Sequence, residues 1–180
     1  MRKLIESTFV TVDGVISSPE RWGSPYWDDE HSAYSAALFA DTDSLLLGRV
    51  TYEAFAVAWP AMEAGGDELA AQMNKRPKYV ASRTLKETTW NATLLEGDVA
   101  EEVARLKAAP GKNILKYGTG ELDRTLLEHK LVDEYHFWIF PVLAGKGEHL
   151  GDQLDLTHLQ LARTTQFSSG IVVLVYVPKA

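Results

Sequence analysis

Three short segments of the chain combine glycine, hydroxyl and arginine residues where an apolar run gives way to helix-forming residues. They are residues 48–51 (GRVT), 82–84 (SRT) and 118–120 (GTG). Glycine lets a ligand approach the backbone, N–H and hydroxyl groups donate hydrogen bonds, and a guanidinium neutralises an anion. An arginine in the first turn of a helix also opposes the helix dipole unless an anion binds there. The segments therefore have the chemistry of a phosphate site, although each alone also fits an ordinary turn or a solvated side chain.

The elements around these segments predict that all three meet. Strand-like runs and helical patterns alternate, and the chain closes with strand-like runs alone. The strand-like runs are 3–12, 43–48, 77–82, 92–97, 112–118, 133–143, 156–167 and 170–177, and the predicted helices are 24–40, 49–59, 98–109 and 119–131. This order predicts one three-layer α/β/α domain over residues 1–180, with a mostly parallel sheet and a C-terminal antiparallel hairpin. The segments follow parallel strands, so they share one edge of the sheet.

The residue types at this edge favour one nicotinamide coenzyme over the other. The fingerprint of three spaced glycines, with a carboxylate for the adenosine ribose of NAD, is absent from the first junction. Arg49 and Arg83 stand at the edge instead. Because arginine near that ribose favours a 2′-phosphate, we predict a site for NADPH.

Composition excludes several other classes of protein. The 180 residues carry a formal net charge of -7, and the 18 lysines and arginines are dispersed, so no nucleic-acid partner is expected. The absence of cysteine excludes disulfides and thiolate zinc sites, and the histidines lack metal-ligand spacing. No apolar run approaches about 18 residues, and the N-terminus does not fit a signal peptide. We predict a cytoplasmic protein without metal or membrane contacts.

Five segments resemble the dihydrofolate reductase superfamily, and more closely the C-terminal reductase domain of the bifunctional riboflavin-pathway deaminase-reductase and its stand-alone relatives. They occur in the family's order and cover nearly the whole chain: TVDGVIS (11–17), LLLGRVTYE (45–53), VASRTL (80–85), LKYGTGEL (115–122) and LLEHKLVDEYHFWIFPVLAGKG (126–147). The resemblance implies a dihydrofolate reductase-like fold and an NADPH-dependent oxidoreductase. No deaminase half is expected, because its zinc site needs cysteines.

The resemblance also implies which residues contact the coenzyme. They divide into a phosphate-binding helix start (Gly48, Arg49, Thr51), a strand end at the adenosine 2′-phosphate (Ser82, Arg83), a glycine-rich turn beside the pyrophosphate and nicotinamide (Gly118, Thr119, Gly120, Glu121, Leu122) and positions flanking the nicotinamide (Val10, Ile16). Asp13 and Gly14 fall in the loop that covers the site.

Three carboxylates are candidates for supplying the proton that accompanies hydride transfer. Asp13 lies in the covering loop, and Asp28 and Asp29 lie near the start of the predicted helix 24–40, for which Ser24 is the expected cap. Asp13-Gly14 also fits a simple turn, and Asp28 and Asp29 also fit acids that compensate the helix dipole. Neither Asp28 nor Asp29 matches the pterin-binding carboxylate of dihydrofolate reductases cleanly.

Candidate substrate contacts are mostly aromatic. Trp22, Tyr26 and Trp27 precede the predicted helix and would suit a planar heterocycle, although packing in the core or in a lid fits equally. Lys146 falls in the loop where, by resemblance, the riboflavin reductase meets the substrate phosphate, but a lysine between glycines is also often solvated.

The leading hypothesis is an NADPH-dependent reductase of a small heterocyclic substrate, resembling 5-amino-6-(5-phosphoribosylamino)uracil reductase. The alternatives are a dihydrofolate reductase and a non-catalytic module that binds NADPH or another nucleotide. The run YHFWIF (135–140) is apolar on both faces except at His136, so a second copy of the chain is expected to cover one of them.

Overall fold

The strands and helices largely follow the alternating pattern. The computed structural model describes residues 1–152 and 154–179. Its strands are β1 (Leu4–Thr11), β2 (Thr42–Gly48), β3 (Lys78–Ala81), β4 (Ala92–Leu94), β5 (Asn113–Tyr117), β6 (Glu134–Phe140), β7 (Leu159–Gln166) and β8 (Val172–Pro178). Its helices are α1 (Pro19–Trp22), α2 (Asp29–Ala40), α3 (Arg49–Ala64), α4 (Glu68–Lys75), α5 (Val99–Ala108) and α6 (Glu121–Glu128), and a 3-10 turn spans Ser24–Tyr26.

All eight strands form one sheet in the order β4-β3-β2-β5-β1-β6-β8-β7. Strands β1 to β6 pair in parallel, whereas β8 runs antiparallel to β6 and β7. The predicted mostly parallel sheet with an antiparallel C-terminal hairpin is therefore confirmed.

Alternate residues of the central strands face two separate cores. Leu4 of β1 and Ile114 of β5 pack with Val103 of α5 and Leu126 of α6 on one face. Their neighbours in sequence, including Ile5, pack with residues of α2, α3 and α4 on the other face. Burial on both faces explains why these strands read as nearly continuous apolar runs.

A third, aromatic core lies beside α2 at the β6–β8 side of the sheet. Trp138 and Phe140 of β6 are its largest members, and Phe9, Trp22 and Tyr34 pack against it. Trp138 is 1% exposed, and its indole N–H donates to the Ser7 hydroxyl at 3.1 Å. The start of α2 is thereby fixed over the end of β1.

Two local predictions about helices are wrong. The predicted helix 24–40 begins only at Asp29, because Asp28 adopts extended backbone angles and its carboxylate accepts the N–H of His31 at 2.9 Å. Ser24, the expected cap, is instead the first residue of the short 3-10 turn. The segment 49–59, predicted as the start of a helix, begins α3, which continues to Ala64. Helix α4 occupies a segment for which no element was predicted.

Candidate functional site

Six strand ends lie side by side along one edge of the sheet. Parallel pairing places the carboxyl ends of β4, β3, β2, β5, β1 and β6 there in that order. The segments after β3, β2 and β5 are the three phosphate-type junctions, so the structure brings them together as predicted.

A crevice opens between the ends of β5 and β1. The last paired residues are Ser7 and Tyr117, after which Gly118 donates its N–H to the Ser7 carbonyl at 2.9 Å. Strand β1 continues to Thr11, so its last residues have no strand beside them on that side. The chain runs from β1 to β2 through α2 on one face of the sheet, and from β5 to β6 through α6 on the other face. Ligands of open α/β sheets bind at such a point.

The start of α3 leaves its first backbone N–H groups open. Helices α2, α4 and α5 begin with an aspartate whose carboxylate accepts a backbone N–H, whereas α3 begins after Gly48, which has no side chain to do so. A Cβ built on Gly48 meets no atom within 4 Å, so the space before the helix is free. Arg49 is exposed and pairs with Glu53 at 2.9 Å. Thr51 lies beside the next junction, because a Cβ on Gly118 would stand 3.3 Å from its hydroxyl oxygen.

Arg83 connects the junction after β3 with the start of α6. Its guanidinium donates to the carboxylate of Glu121, and both side chains are largely exposed. Ser82 instead closes its own turn, since its hydroxyl accepts the N–H groups of Thr84 and Leu85 at 3.2 and 3.0 Å. Arg83 therefore remains available to a ligand at the rim.

Three buried charged residues, which the sequence analysis did not identify, form hydrogen bonds with the turn Gly118–Gly120. The Lys116 ammonium donates to the Gly118 carbonyl, and the Thr119 hydroxyl donates to Glu6 Oε1 at 2.6 Å. The Gly120 N–H donates to Asp123 Oδ2 at 2.7 Å. Glu6, Lys116 and Asp123 are each at most 2% exposed. We call these three residues the buried triad.

Charges within the buried triad are balanced around the lysine. Lys116 Nζ lies 2.8 Å from Asp123 and 3.6 Å from Glu6 Oε2. Burial, followed by the charge of Asp123, raises the pKa of Glu6 well above its ordinary value. Burial lowers the pKa of Lys116, but the charges of Asp123 and Glu6 outweigh it, so that pKa is raised. Glu6 therefore holds its proton at a pH where an exposed glutamate has lost it.

Asp13 fastens the loop after β1 to the loop after β6. Its carboxylate accepts the Thr11 hydroxyl at 2.5 Å and the N–H groups of Ala144 and Gly145 at 3.0 and 2.6 Å. These bonds, led by that of Thr11, lower its pKa to about 2. Asp13 is thus ionised near neutral pH and carries no proton to donate.

The other predicted residues of this region lie near the same two loops. Val10 is 3% exposed and pairs with Ile139 of β6, so its side chain belongs to the interior. Ile16 is half-buried and donates its N–H to the Glu148 carbonyl at 2.9 Å. Lys146 is exposed next to the loop segment that Asp13 holds, and Leu122 is half-buried against the core under α6.

Asp28 and Asp29 both lie at the start of α2. Asp28 caps α2, and the His31 N–H that it accepts lowers the pKa of its carboxyl. Asp29 is exposed in the first turn of the helix. Both positions agree with acids that interact favourably with the helix dipole, the alternative that the sequence left open.

An aromatic recess around His31 lies where α2 meets the end of β1. The His31 ring packs against Phe9, Trp27 and Trp138, with ring centroids 5.1 to 6.2 Å apart. Its Nε2 is buried and has no hydrogen-bond partner among the described residues. Burial lowers the pKa of His31 from its ordinary 6.5, so the ring is neutral near pH 7. The spacing of the histidines in the sequence did not predict a role for His31.

The three predicted aromatic contacts divide between packing and exposure. Trp22 and Tyr26 pack edge-on against Phe140, and the Trp22 indole donates to the Ser17 carbonyl at 3.0 Å. Trp27 is 46% exposed and stacks on His31. Trp27 is therefore the member with aromatic surface free for a ligand, whereas packing accounts for the other two.

Neither a metal-binding cluster nor a membrane-spanning helix occurs within residues 1–152 and 154–179. These residues contain no cluster of three or more side chains suited to hold a metal ion. None of their helices combines the length and apolar character needed to cross a membrane.

Comparison with known protein sequences identifies relatives along the whole chain. The chain matches the RibD C-terminal domain over residues 2–173. It is 33% identical to the uncharacterized protein YyaP of Bacillus subtilis (strain 168), over 97% of this chain and 94% of YyaP. It is 27% identical to YwjB of the same organism, over 94% of this chain and 95% of YwjB.

Solved structures share the fold at lower sequence identity. A protein assigned to riboflavin biosynthesis from Shewanella sp. PV-4 superposes with a TM-score of 0.72 and 23% identity, over 99% of both chains. The deaminase/5-amino-6-(5-phosphoribosylamino)uracil reductase of Thermotoga maritima gives 0.69 and 14%, over 99% of this chain and 57% of that one. Dihydrofolate reductase from Enterococcus faecalis, complexed with NADP(H), gives 0.63 and 14%, over 99% and 97%. The strand-end crevice thus lies in a dihydrofolate reductase-like fold, and the chain belongs to the family of RibD C-terminal domains.

Proposed function

We propose that this protein is an NADPH-dependent reductase of a small heterocyclic substrate, of the 5-amino-6-(5-phosphoribosylamino)uracil reductase type. The observation that carries the proposal is the convergence of an uncapped helix start, two exposed arginines and a glycine turn on one crevice. Family membership supports the same reaction class.

The residues at the crevice fit a nicotinamide coenzyme with a 2′-phosphate. The open N–H groups at the start of α3 and the Thr51 hydroxyl would bind the pyrophosphate, and Gly48 leaves room for it. Arg83 would bind the 2′-phosphate by exchanging its partner Glu121 for the phosphate oxygens. Gly118 and Gly120 would let the coenzyme approach the backbone of the turn.

Bound NADPH supplies the hydride, and the residues of the chain position the reactants and exclude water. The loop held by Asp13 would cover the crevice on the β1 side, and Trp27 would stack against the planar substrate. His31 stacks on Trp27, and its Nε2 has no hydrogen-bond partner among the described residues, so it would hydrogen-bond a ring nitrogen or carbonyl of the substrate. Asp13 and Asp28 are ionised near neutral pH, so we do not assign them as proton donors.

Binding and turnover test the proposal separately. Calorimetric titration with NADPH and with NADH is expected to show tighter binding of NADPH. Consumption of NADPH, followed by absorbance, is then expected with 5-amino-6-(5-phosphoribosylamino)uracil and not with dihydrofolate. No affinity for NADPH would refute the proposal. Tight binding without turnover across a panel of heterocycles would favour the non-catalytic alternative.

Dihydrofolate reductase is the second candidate, because an enzyme of that activity shares the fold. The chain offers Asp28 in the region where a pterin-binding carboxylate would be needed. That carboxylate is occupied by the N–H of His31, which favours the first candidate.

We also propose that the protein is a cytoplasmic homodimer. The face of the sheet that carries Phe137, Tyr176 and Leu161 is only partly covered, and Leu161 is 50% exposed. A second copy of the chain would bury this apolar surface.

A further inference from the structure

We infer that the buried triad is a positioning device that sets the shape of the Gly118–Gly120 turn and thereby the affinity for the coenzyme. The inference rests on the proposed function, since it concerns how the same crevice binds its phosphates. Each member of the triad is at most 2% exposed, and Glu6 and Asp123 also line a cavity with Leu127, Tyr135 and Leu154 on the α6 side of the sheet.

Each member of the triad holds a different residue of the turn. Lys116 donates to the Gly118 carbonyl, Glu6 accepts the Thr119 hydroxyl at 2.6 Å, and Asp123 accepts the Gly120 N–H at 2.7 Å. The members come from β5, β1 and α6, so the turn is tied to three elements at once. Gly118 has φ +72, a left-handed conformation that glycine adopts without steric cost, and its freedom leaves the shape of the turn to the groups that bond to it.

Two members of the triad, Lys116 and Asp123, bond to the turn as charged groups. A hydrogen bond to a charged group is about twice as strong as one between neutral groups. The orphan polar groups of a tight turn are therefore held more firmly by an ammonium and a carboxylate than by neutral side chains. Burying these charges is unfavourable for folding, and apolar replacements of such groups are often neutral or stabilising. A contribution to folding alone therefore does not account for the arrangement.

The two carboxyl groups of the triad divide their oxygens between the lysine and the turn. Glu6 Oε2 and Asp123 Oδ1 lie 3.6 and 2.8 Å from Lys116 Nζ. Glu6 Oε1 accepts the Thr119 hydroxyl, and Asp123 Oδ2 accepts the Gly120 N–H as well as the Lys116 ammonium. The same side chains thus pair with one another and support the turn.

A buried lysine at the opposite edge of the sheet provides a matched control. Lys107 is 5% exposed, donates to the Leu131 carbonyl and pairs with Asp133 at 2.6 Å. It resembles Lys116 in burial and charge but lies near the start of β1, since Asp133 accepts the Leu4 N–H. Its replacement disturbs a buried ion pair without reaching the turn.

The test compares paired substitutions by NADPH titration and by amide hydrogen exchange without coenzyme. Asp123→Ala and Glu6→Leu are expected to raise the Kd for NADPH by about tenfold or more and to speed exchange at residues 118–120. Asp123→Asn keeps an acceptor but loses the charge, so it is expected to raise the Kd by less than Asp123→Ala does. Glu6→Gln replaces a group that holds its proton and is expected to change the Kd by less than about threefold. Lys107→Met is expected to lower the melting temperature and leave the Kd unchanged.

Three results would overturn the inference. The first is an unchanged Kd in folded Asp123→Ala and Glu6→Leu, and the second is an equal loss of affinity in Lys107→Met. The third applies if Asp123→Ala and Glu6→Leu do not fold: it is a tenfold loss of NADPH affinity in Asp123→Asn that Lys107→Met shows as well. Failure of the wild-type protein to bind NADPH would instead refute the proposed function, so the two failures are distinguishable.

Discussion

Replacing Arg83 with glutamine is expected to weaken NADPH binding selectively. Arg83 is 82% exposed in its side chain and its partner Glu121 is 68% exposed. An ion pair this exposed contributes at most about 1 kcal/mol to folding, so the melting temperature should hardly change. A charge-assisted hydrogen bond to a phosphate contributes about 1.5 to 3 kcal/mol, which corresponds to about a 10- to 150-fold rise in the Kd for NADPH. NADH lacks the 2′-phosphate, so its Kd is expected to stay the same.

Titrations of wild type and Arg83→Gln with both coenzymes, together with thermal unfolding, provide the assay. Arg105→Gln is the matched control, because Arg105 also forms an exposed ion pair, at 2.6 Å with Glu102, but on α5 outside the crevice. It should leave both coenzyme affinities unchanged. An equal loss of NADPH and NADH affinity in Arg83→Gln, or no loss at all, would refute the assignment of Arg83 to the 2′-phosphate.

Four further predictions concern stability, substrate binding and assembly. The pKa of Glu6 is raised in the folded state, so the folded protein keeps a proton that the unfolded chain releases above about pH 4.5. The free energy of unfolding therefore falls as pH rises from there toward the folded pKa. Glu6→Gln removes this loss, so its melting temperature relative to that of wild type should rise with pH. Trp138→Ala should cost about 3 to 5 kcal/mol in denaturant unfolding, since the side chain is 1% exposed; a loss under about 1 kcal/mol would contradict its place in the core. His31→Phe should raise the substrate KM in steady-state kinetics without changing the Kd for NADPH, and His31→Gln should restore part of the loss; equal KM values would exclude His31 from the substrate site. Leu161→Lys should shift a dimer toward monomer in analytical ultracentrifugation, whereas a wild-type monomer would refute the proposed homodimer.

The sheet and the location of the crevice could be predicted because they depend on local patterns. The apolar run Leu45–Leu47 between a turn and Gly48 marks a buried strand, and alternation with helices makes the sheet parallel. Parallel strands then place their ends at one edge without further information. The three junctions follow from this rule alone.

Other features depend on competition or on distant contacts. Ser24 and Asp28 are both good helix caps, and only the packing of the aromatic core decides that α2 begins after Asp28. Helix α4 follows two glycines and is only eight residues long, so its apolar residues Leu69, Ala70, Ala71 and Met73 do not complete a recognisable helical period. The buried triad joins Glu6 to residues more than 100 positions away, so the charges inside two strand-like runs were the only local sign of it.

The bonds of Asp13 have a consequence for the two loops beside the crevice. Its carboxylate ties residues 11–15 to Ala144 and Gly145, and further backbone bonds join Ile16 to Glu148 and Leu150 to Gly14. The two loops are thus joined into one unit at the ends of β1 and β6. Neither loop can be displaced without the other, so a substitution at His149, which pairs with Val15, would also disturb the loop after β1.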